Sequence, residues 1–480
     1  MTEIPSLVSQ NRPLWVKLVS LAWPVLVQQF LILFVGLFDQ GLVGGHAPIN
    51  SENNPALQSK HIAQQAALSN AIYLVWFLSS LSSLAAVGAT ALVARFIGAG
   101  EPRQAERVTN QTILLAVLIG VVSTPIALWG LPHLLGLLGL SDDAFSAAEQ
   151  FLQPIIWVLT AELVMVAGIA CLVGAGDTKT GTIIRCGIAL INIPLAWSFM
   201  NGLGPIPAFD FVGVAYGTSL STSLGSLAVL LILIRGRYGL KLRRRDLRPD
   251  LVLLTRLLRI SIPASFDTLS NCICQMWFLS LVNALGQVAI TAHGNALRIE
   301  AMGFLSGQAF ATAAGTLVGQ FLGARRPDMA RKAAWVGFSF GVSFMSLMGM
   351  IFYTFAPNLM SLFNPYDHQI QVVQTGVPVL RLVAFAMPPL AGIIVFTGVL
   401  RGAGDTRYPI LVTWIGYLGF RIPLAYYLTR ESLSFGEWGT IPGANLGLIG
   451  AWLAMFADLF VRGALFFIRF LKGKWALVKV

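Results

Sequence analysis

Apolar runs longer than the roughly 20 residues that a helix needs to cross a bilayer recur along this whole chain. They fall near residues 18–43, 66–96, 108–132, 147–174, 180–201 and 212–234, and again near 260–284, 291–322, 333–356, 376–400, 408–429 and 446–470. Hydrocarbon offers peptide groups no water, so only helices and closed barrels span it. A barrel needs short segments of alternating polarity, and none is evident. The expected fold is therefore an all-α polytopic membrane protein of twelve transmembrane helices. Charged residues make up only 11% of the chain, against about 25% in soluble domains. Prolines inside the runs (Pro24, Pro125, Pro154, Pro194, Pro263, Pro388 and Pro389) are expected to kink them. The chain begins MTEIPSLVSQNRPLW, without a cleavable signal pattern, so the first run is expected to stay as a helix.

A net charge of +11 invites a nucleic-acid reading, but placement argues otherwise. Nearly all Lys and Arg residues lie in gaps that fall on one side if the N-terminus is cytoplasmic. Lys60 and Arg430 fall outside, while Arg298, Arg381 and Arg421 fall within helices. By the positive-inside rule both termini are cytoplasmic. The densest basic stretch, 235–259, sits at the midpoint and reads as a linker between lobes 1–234 and 260–480, in contact with anionic lipid. No nucleic-acid partner is expected.

The two lobes repeat. LVARFIGAGEPRQAER (92–107) aligns with LVGQFLGARRPDMARK (317–332) at an offset of 225, and GAGDT at 174–178 with GAGDT at 402–406 at 228. IPLAW (193–197) aligns with IPLAY (422–426) at 229, and Pro24 with Pro263 at 239. The fall in offset places an insertion of about fourteen residues in HAPINSENNPALQSKH (46–61). An even number of helices per copy makes two parallel, pseudo-symmetric six-helix bundles, a design suited to alternating access. The GAGDT strings lack the Lys-Ser/Thr ending of a phosphate loop. They read as tight turns in which Asp177 and Asp405 cap the following helices. Cys171, Cys186, Cys272 and Cys274 lie in apolar segments without CxxC spacing and read as small buried hydrophobes.

Several stretches in order carry a family resemblance: LAWPVLVQQFLILFVGLFDQGLVGG, AITAHGNALRIEAMGFLSGQAFATAAGTLVGQFLGARRPDMAR, both GAGDT loops and LGLIGAWLAMFADLFVRGALFFIRFLKGKW. Over nearly its full length the chain resembles the multidrug and toxic compound extrusion (MATE) family. The resemblance implies a multi-pass transporter of the cell membrane, neither an enzyme nor a cofactor protein. It further implies export of bulky, mostly cationic or polycyclic compounds in exchange for protons or sodium ions. A monomer is expected.

Carboxylates inside a bilayer are costly enough that each is a functional candidate. Here they are Asp39, Glu162, Asp267, Glu300 and Asp458. Asp39, in LFDQGLVGG, matches the family's first-helix ion-binding aspartate. Asn192 matches a fifth-helix asparagine of the family's sodium site, and Ser221 or Thr222 supplies its hydroxyl, but Ala196 stands where that site has a second aspartate. A hard cation wants several oxygens and a proton only one carboxylate, so a proton is favoured over sodium. Another branch of the family uses a seventh-helix glutamate and a tenth-helix aspartate. Here those positions are Asn271 and Leu390. Glu162 holds the position related by the repeat to Leu390 and is placed on the cavity wall. The remaining substrate-cavity candidates are Gln28, Gln29, Trp157, Asp267, Asn271, Gln275, Met276 and Trp277. Asp267 is expected to be satisfied by water or Arg259. Arg421, at the repeat position of Asn192, and Arg381 need carboxylate or carbonyl partners, Asp458 among them.

A lipid or lipid-linked oligosaccharide flippase of related fold is the first alternative, given some room by Arg381 and Arg421. A membrane enzyme would need a nucleophile–base set or a metal cluster, and the five His residues show no ligand spacing. A channel would need a filter-like loop, and none interrupts a helix.

Overall fold

A computed structural model describes residues 7–45, 71, 74–136, 142–203, 207–363, 369–434 and 440–478. The insertion at 46–61 lies outside the described residues. Helices run as α1 (Leu14–Gly45), α2 (Leu74–Ser80), α3 (Ser83–Gly98), α4 (Pro102–Gly136), α5 (Asp142–Trp157), α6 (Leu159–Ala175), α7 (Thr178–Asn201) and α8 (Val212–Arg235). They continue as α9 (Leu251–Asn283), α10 (Gln287–Gly323), α11 (Pro327–Thr354), α12 (Ala356–Phe363), α13 (Ile370–Ala403), α14 (Arg407–Gly416), α15 (Ile422–Thr429) and α16 (Gly447–Leu471). A π-turn at Tyr417–Arg421 joins α14 to α15, and strands β1 (Ser432–Ser434) and β2 (Thr440–Pro442) pair antiparallel.

Each of the twelve expected runs is carried by helix where it is described, and the chain is an all-α membrane protein. Among the described residues seven helices are by themselves long and apolar enough to cross, and up to nine spans arise if each of two bent pairs is one. Of the other runs, α9 and α10 are diluted by polar residues, and the last is split by the π-turn into α14 and α15, of 10 and 8 residues. α5, which contains Pro154, meets α6 at 51°. α2 meets α3 at 41° without a proline. There Ser80 and Ser82 donate to the carbonyls of Phe77 and Ser79, each at 2.6 Å, competing with the backbone ladder.

The repeat is legible in packing. Gly174 lies so close to Thr90 that an added Cβ would stand 2.8 Å from the Thr90 carbonyl oxygen, and Gly402 faces the Gly315 carbonyl in the same way. Both members of the second pair are repeat partners of the first. The αL residues that end α6 and α13, Gly176 and Gly404, also correspond. Their neighbours diverge. Asp177 caps α7, accepting from the Thr180 amide at 3.0 Å and hydroxyl at 2.6 Å. Asp405 does not cap α14, as the sequence suggested. It takes a two-nitrogen contact from Arg469 at 2.7 and 3.1 Å.

The chain forms two compact units whose boundary differs from the expected lobes. Val27–Ser265 belong to one, Leu7–Leu26 and Phe266–Val480 to the other. The start of α1 packs Leu18, Leu21 and Ala22 into the second unit's core. Lys17 Nζ donates to the Leu7 carbonyl at 2.6 Å, and the Leu7 amide to Gln320 at 3.2 Å. The stretch 235–250 is likewise not a free linker, because buried polar groups of α4 hold it. Asn110 exchanges bonds with Lys241 and Arg243, Gln111 with Asp246, Arg248 and Asp250, and Glu106 pairs with Arg243. α9 begins directly after it, at Leu251, and 251–265 stay with the first unit. The chain thus changes unit after Leu26 and after Ser265, in each case two residues beyond a repeat-related proline, Pro24 or Pro263.

Helices α7 and α8 meet through a four-residue ladder of small side chains on α8: Gly213, Gly217, Ser221 and Gly225. Gly213 abuts Met200, Gly217 the Ala196 backbone, and Gly225 Ile188, so both helices step by four. Such seams let helices approach in lipid. A Cβ on Gly217 would fall 2.6 Å from the Ala196 nitrogen, where only backbone could give way. Gly217→Val is expected to destabilise the protein by about 1–3 kcal/mol, read as a lower thermal midpoint in detergent. Gly130→Ala, at a position with open space around it, serves as the unshifted control.

Candidate functional site

In the first unit the polar groups converge on Asn192, buried in α7 opposite Ser221. Its amide nitrogen donates to the Thr218 hydroxyl at 3.1 Å and the Ser221 hydroxyl at 3.4 Å. Ser221 in turn donates to the Thr218 carbonyl. Thr222 is buried beside them, and Ala196 is fully buried one turn along. The Asn192 carbonyl oxygen is buried without a donor. A buried acceptor left open calls for an explanation, and an ion or a protonated group is one. Asp39 belongs to α1 and to the same unit, but its side chain lies outside the described residues. Gln28 and Gln29 are half-buried on α1, Trp157 is exposed at the α5–α6 bend, and half-buried Glu162 lies in the electrostatic field of Arg185.

The second unit holds a ladder of polar side chains at four-residue spacing on α9: Asp267, Asn271 and Gln275. Asp267 is buried, accepting from Arg401 at 2.8 Å and from the Thr413 hydroxyl at 2.7 Å. Arg401, in the last turn of α13, therefore does what Arg259 or water was expected to do. Asn271 donates to the Asp267 carbonyl and accepts from the Tyr417 hydroxyl at 2.9 Å. Gln275 accepts from Arg421 at 3.3 Å, and the Trp277 ring nitrogen donates to the Tyr426 hydroxyl at 3.3 Å. These cavity candidates spend their polar groups on bonds between helices.

Beside the ladder lies a buried ionic triad. Asp458 on α16 receives Arg421 at 2.8 Å and Arg462 at 2.6 Å, and the Tyr417 ring sits 4.6 Å from one guanidinium and 4.7 Å from the other. The π-turn presents Tyr417 and Arg421 from its two ends. Pro423 follows it; its ring lacks an amide hydrogen and crowds the carbonyl four residues back, at Gly419 inside the widened turn. The proline was visible in the sequence, but its effect on the turn was not. Arg381 instead lies over the Tyr353 ring at 5.6 Å.

A largely apolar cavity of about 730 Å³ opens in the first unit between α2, α4 and α5, lined by Leu78, Leu118, Val122, Ile126, Trp129 and Leu152. Ser123 and His133 are its polar members, and it includes no predicted site residue. Among the described residues no group of His, Cys, Asp and Glu could hold a metal.

Repeated helical halves with charges sequestered between their helices define a duplicated, multi-pass membrane protein. The MatE family model matches residues 62–198 and 263–427, and the chain belongs to the MatE family. It is 26% identical over 461 residues to a probable multidrug resistance protein NorM of Thermotoga maritima, covering 96% of this chain and 92% of that one. It is 24% identical over 463 residues to the multidrug resistance protein PmpM of Pseudomonas aeruginosa, covering 94% and 92%. A solved MOP superfamily transporter from Pyrococcus furiosus, described by a binding pocket of reverse polarity, superposes with a TM-score of 0.87 at 20% identity, covering 100% and 99%.

Removing one member of a buried ion pair strands the others, at a cost of about 3–5 kcal/mol. Asp458→Asn leaves Arg421 and Arg462 without a counter-charge, so its thermal midpoint in detergent is expected to fall well below that of Asp39→Asn. Equal midpoints would show that the triad does not hold α14–α15 to α16.

Proposed function

We propose that this chain is a cation-coupled secondary antiporter that exports organic, cationic or polycyclic compounds by alternating access. The observation that carries the reading is the pair of crossings at Leu26/Val27 and Ser265/Phe266. Two units joined through matched, proline-containing helices can swing about equivalent points while each keeps its internal packing. The substrate class follows the printed names of the multidrug resistance relatives NorM and PmpM.

Coupling is assigned to the first unit, with Asp39 as the ion-binding carboxylate and Asn192, Ser221 and Thr222 as the accompanying polar groups. The missing second aspartate at Ala196 favours a proton, because sodium needs several oxygens. Glu300 is a second carboxylate to test. It is half-buried on α10, lies in the field of Arg421, and has no hydrogen-bond or ion-pair partner among the described residues. A lipid or lipid-linked oligosaccharide flippase is the second reading. What favours it is the pair of buried guanidinium groups, Arg421 and Arg462, gathered on the single carboxylate of Asp458 in the second unit.

Dye efflux from proteoliposomes under separate proton and sodium gradients tests the assignment. The parent is expected to respond to the proton gradient, and Asp39→Asn to fall to the level of protein-free vesicles. Glu300→Gln is expected to retain part of the activity. Undiminished gradient-driven efflux from Asp39→Asn would remove that residue from coupling, and lipid scrambling without dye movement would favour the flippase. Pro24→Ala and Pro263→Ala are each expected to slow efflux several-fold, since proline frees the backbone group that lets a helix bend.

A further inference from the structure

The first unit carries its densest positive charge between α8 and α9, and the structure divides that charge into two sets. Arg237 and Arg243 are committed to neighbours within the unit, Asp177 at 2.9 Å and Glu106. The hydrogen bond to Asp177 shifts the Arg237 guanidinium upward from its ordinary pKa. The carboxylates of the stretch are also engaged. Asp246 pairs with Arg103 at 3.1 Å, and Asp250 accepts from the Val252 and Leu253 amides at the start of α9. Lys241, Arg244, Arg245 and Arg248 remain, all exposed and without an ion-pair partner among the described residues, and the last three lie nearest the start of α9.

The backbone bearing these three is held in place. Gln111 donates to the carbonyls of Asp246 and Arg248 at 2.8 and 2.7 Å and accepts from the Asp250 amide at 3.0 Å. Immediately beyond, Leu251 and Val252 stand 75% and 70% exposed. Charges that only set topology need to be on the inner side. That role asks neither for a fixed backbone nor for two bare apolar side chains beside the cations. Basic and apolar groups presented together at the cytoplasmic end of a membrane helix match the chemistry of a bilayer interface.

We propose that residues 244–252 are a docking surface for anionic phospholipid headgroups of the cytoplasmic leaflet, with Arg244, Arg245 and Arg248 meeting phosphate and Leu251 and Val252 entering the acyl boundary. This goes beyond the transport reading and stands or falls independently of it. Loading of phosphatidylglycerol onto the detergent-solubilised full-length chain, followed by native mass spectrometry, tests it. Phosphatidylcholine of the same acyl chains, glycerol 3-phosphate and polyglutamate are the comparison probes.

Phosphatidylglycerol is expected to bind in preference to all three, and to weaken as salt is raised. At about fivefold per basic residue, Arg244→Gln, Arg245→Gln and Arg248→Gln together are expected to lower affinity on the order of a hundredfold. The matching triple change to lysine is expected to keep most of it, and Leu251→Ser with Val252→Ser to weaken it severalfold. The proposal is overturned if phosphatidylcholine binds as well, if glycerol 3-phosphate or polyglutamate competes equally, or if the glutamine triple binds like the parent. Should that triple fail to fold, the salt titration of the parent decides: affinity unchanged by salt would also overturn it.

Discussion

A charge inside a hydrocarbon-facing bundle has nowhere to go except against another charge, and much of the second unit is arranged around that constraint. Asp458 brings α16 to the π-turn through Arg421 and Arg462. Asp267 brings α9 to the end of α13 through Arg401 and to α14 through Thr413. Neither aspartate adds much stability over a well-packed apolar substitute, because desolvation offsets the attraction. What such pairs supply is an orientation that leaves few alternatives. A helix whose arginine is paired in this way cannot rotate in its socket without stranding it.

The repeat makes the contrast between halves informative. Asn192 and Arg421 occupy the same place in their halves, and each reaches the last helix of its own half. The first does so with an amide and two hydroxyls in a seam of small residues, the second with a guanidinium and a buried carboxylate. One joint is neutral, while the other is ionic and gathers two cations on one carboxylate oxygen of Asp458. A device that must take up and release a small cation is better served by the neutral joint. This is the physical ground for assigning coupling to the first unit.

Much of the fold was legible because the bilayer simplifies the code. Run length gave the helices, and matched strings gave the repeat. The glycine contacts at Gly174 and Gly402 fit the same repeat. What escaped was whatever depends on three-dimensional neighbours. The sequence shows that Asp267 needs a partner, but not that Arg401, more than a hundred residues on, supplies it. Nothing in the sequence groups Glu106, Asn110 and Gln111, though together they moor the connector. The unit boundaries escaped for the same reason, since a helix that serves two units has no break in its hydropathy.

Those shared helices constrain how such a chain could be divided. Each unit takes the opening turns of a helix whose remainder belongs to the other, so a cut at the midpoint leaves both fragments with a missing piece and a surplus one.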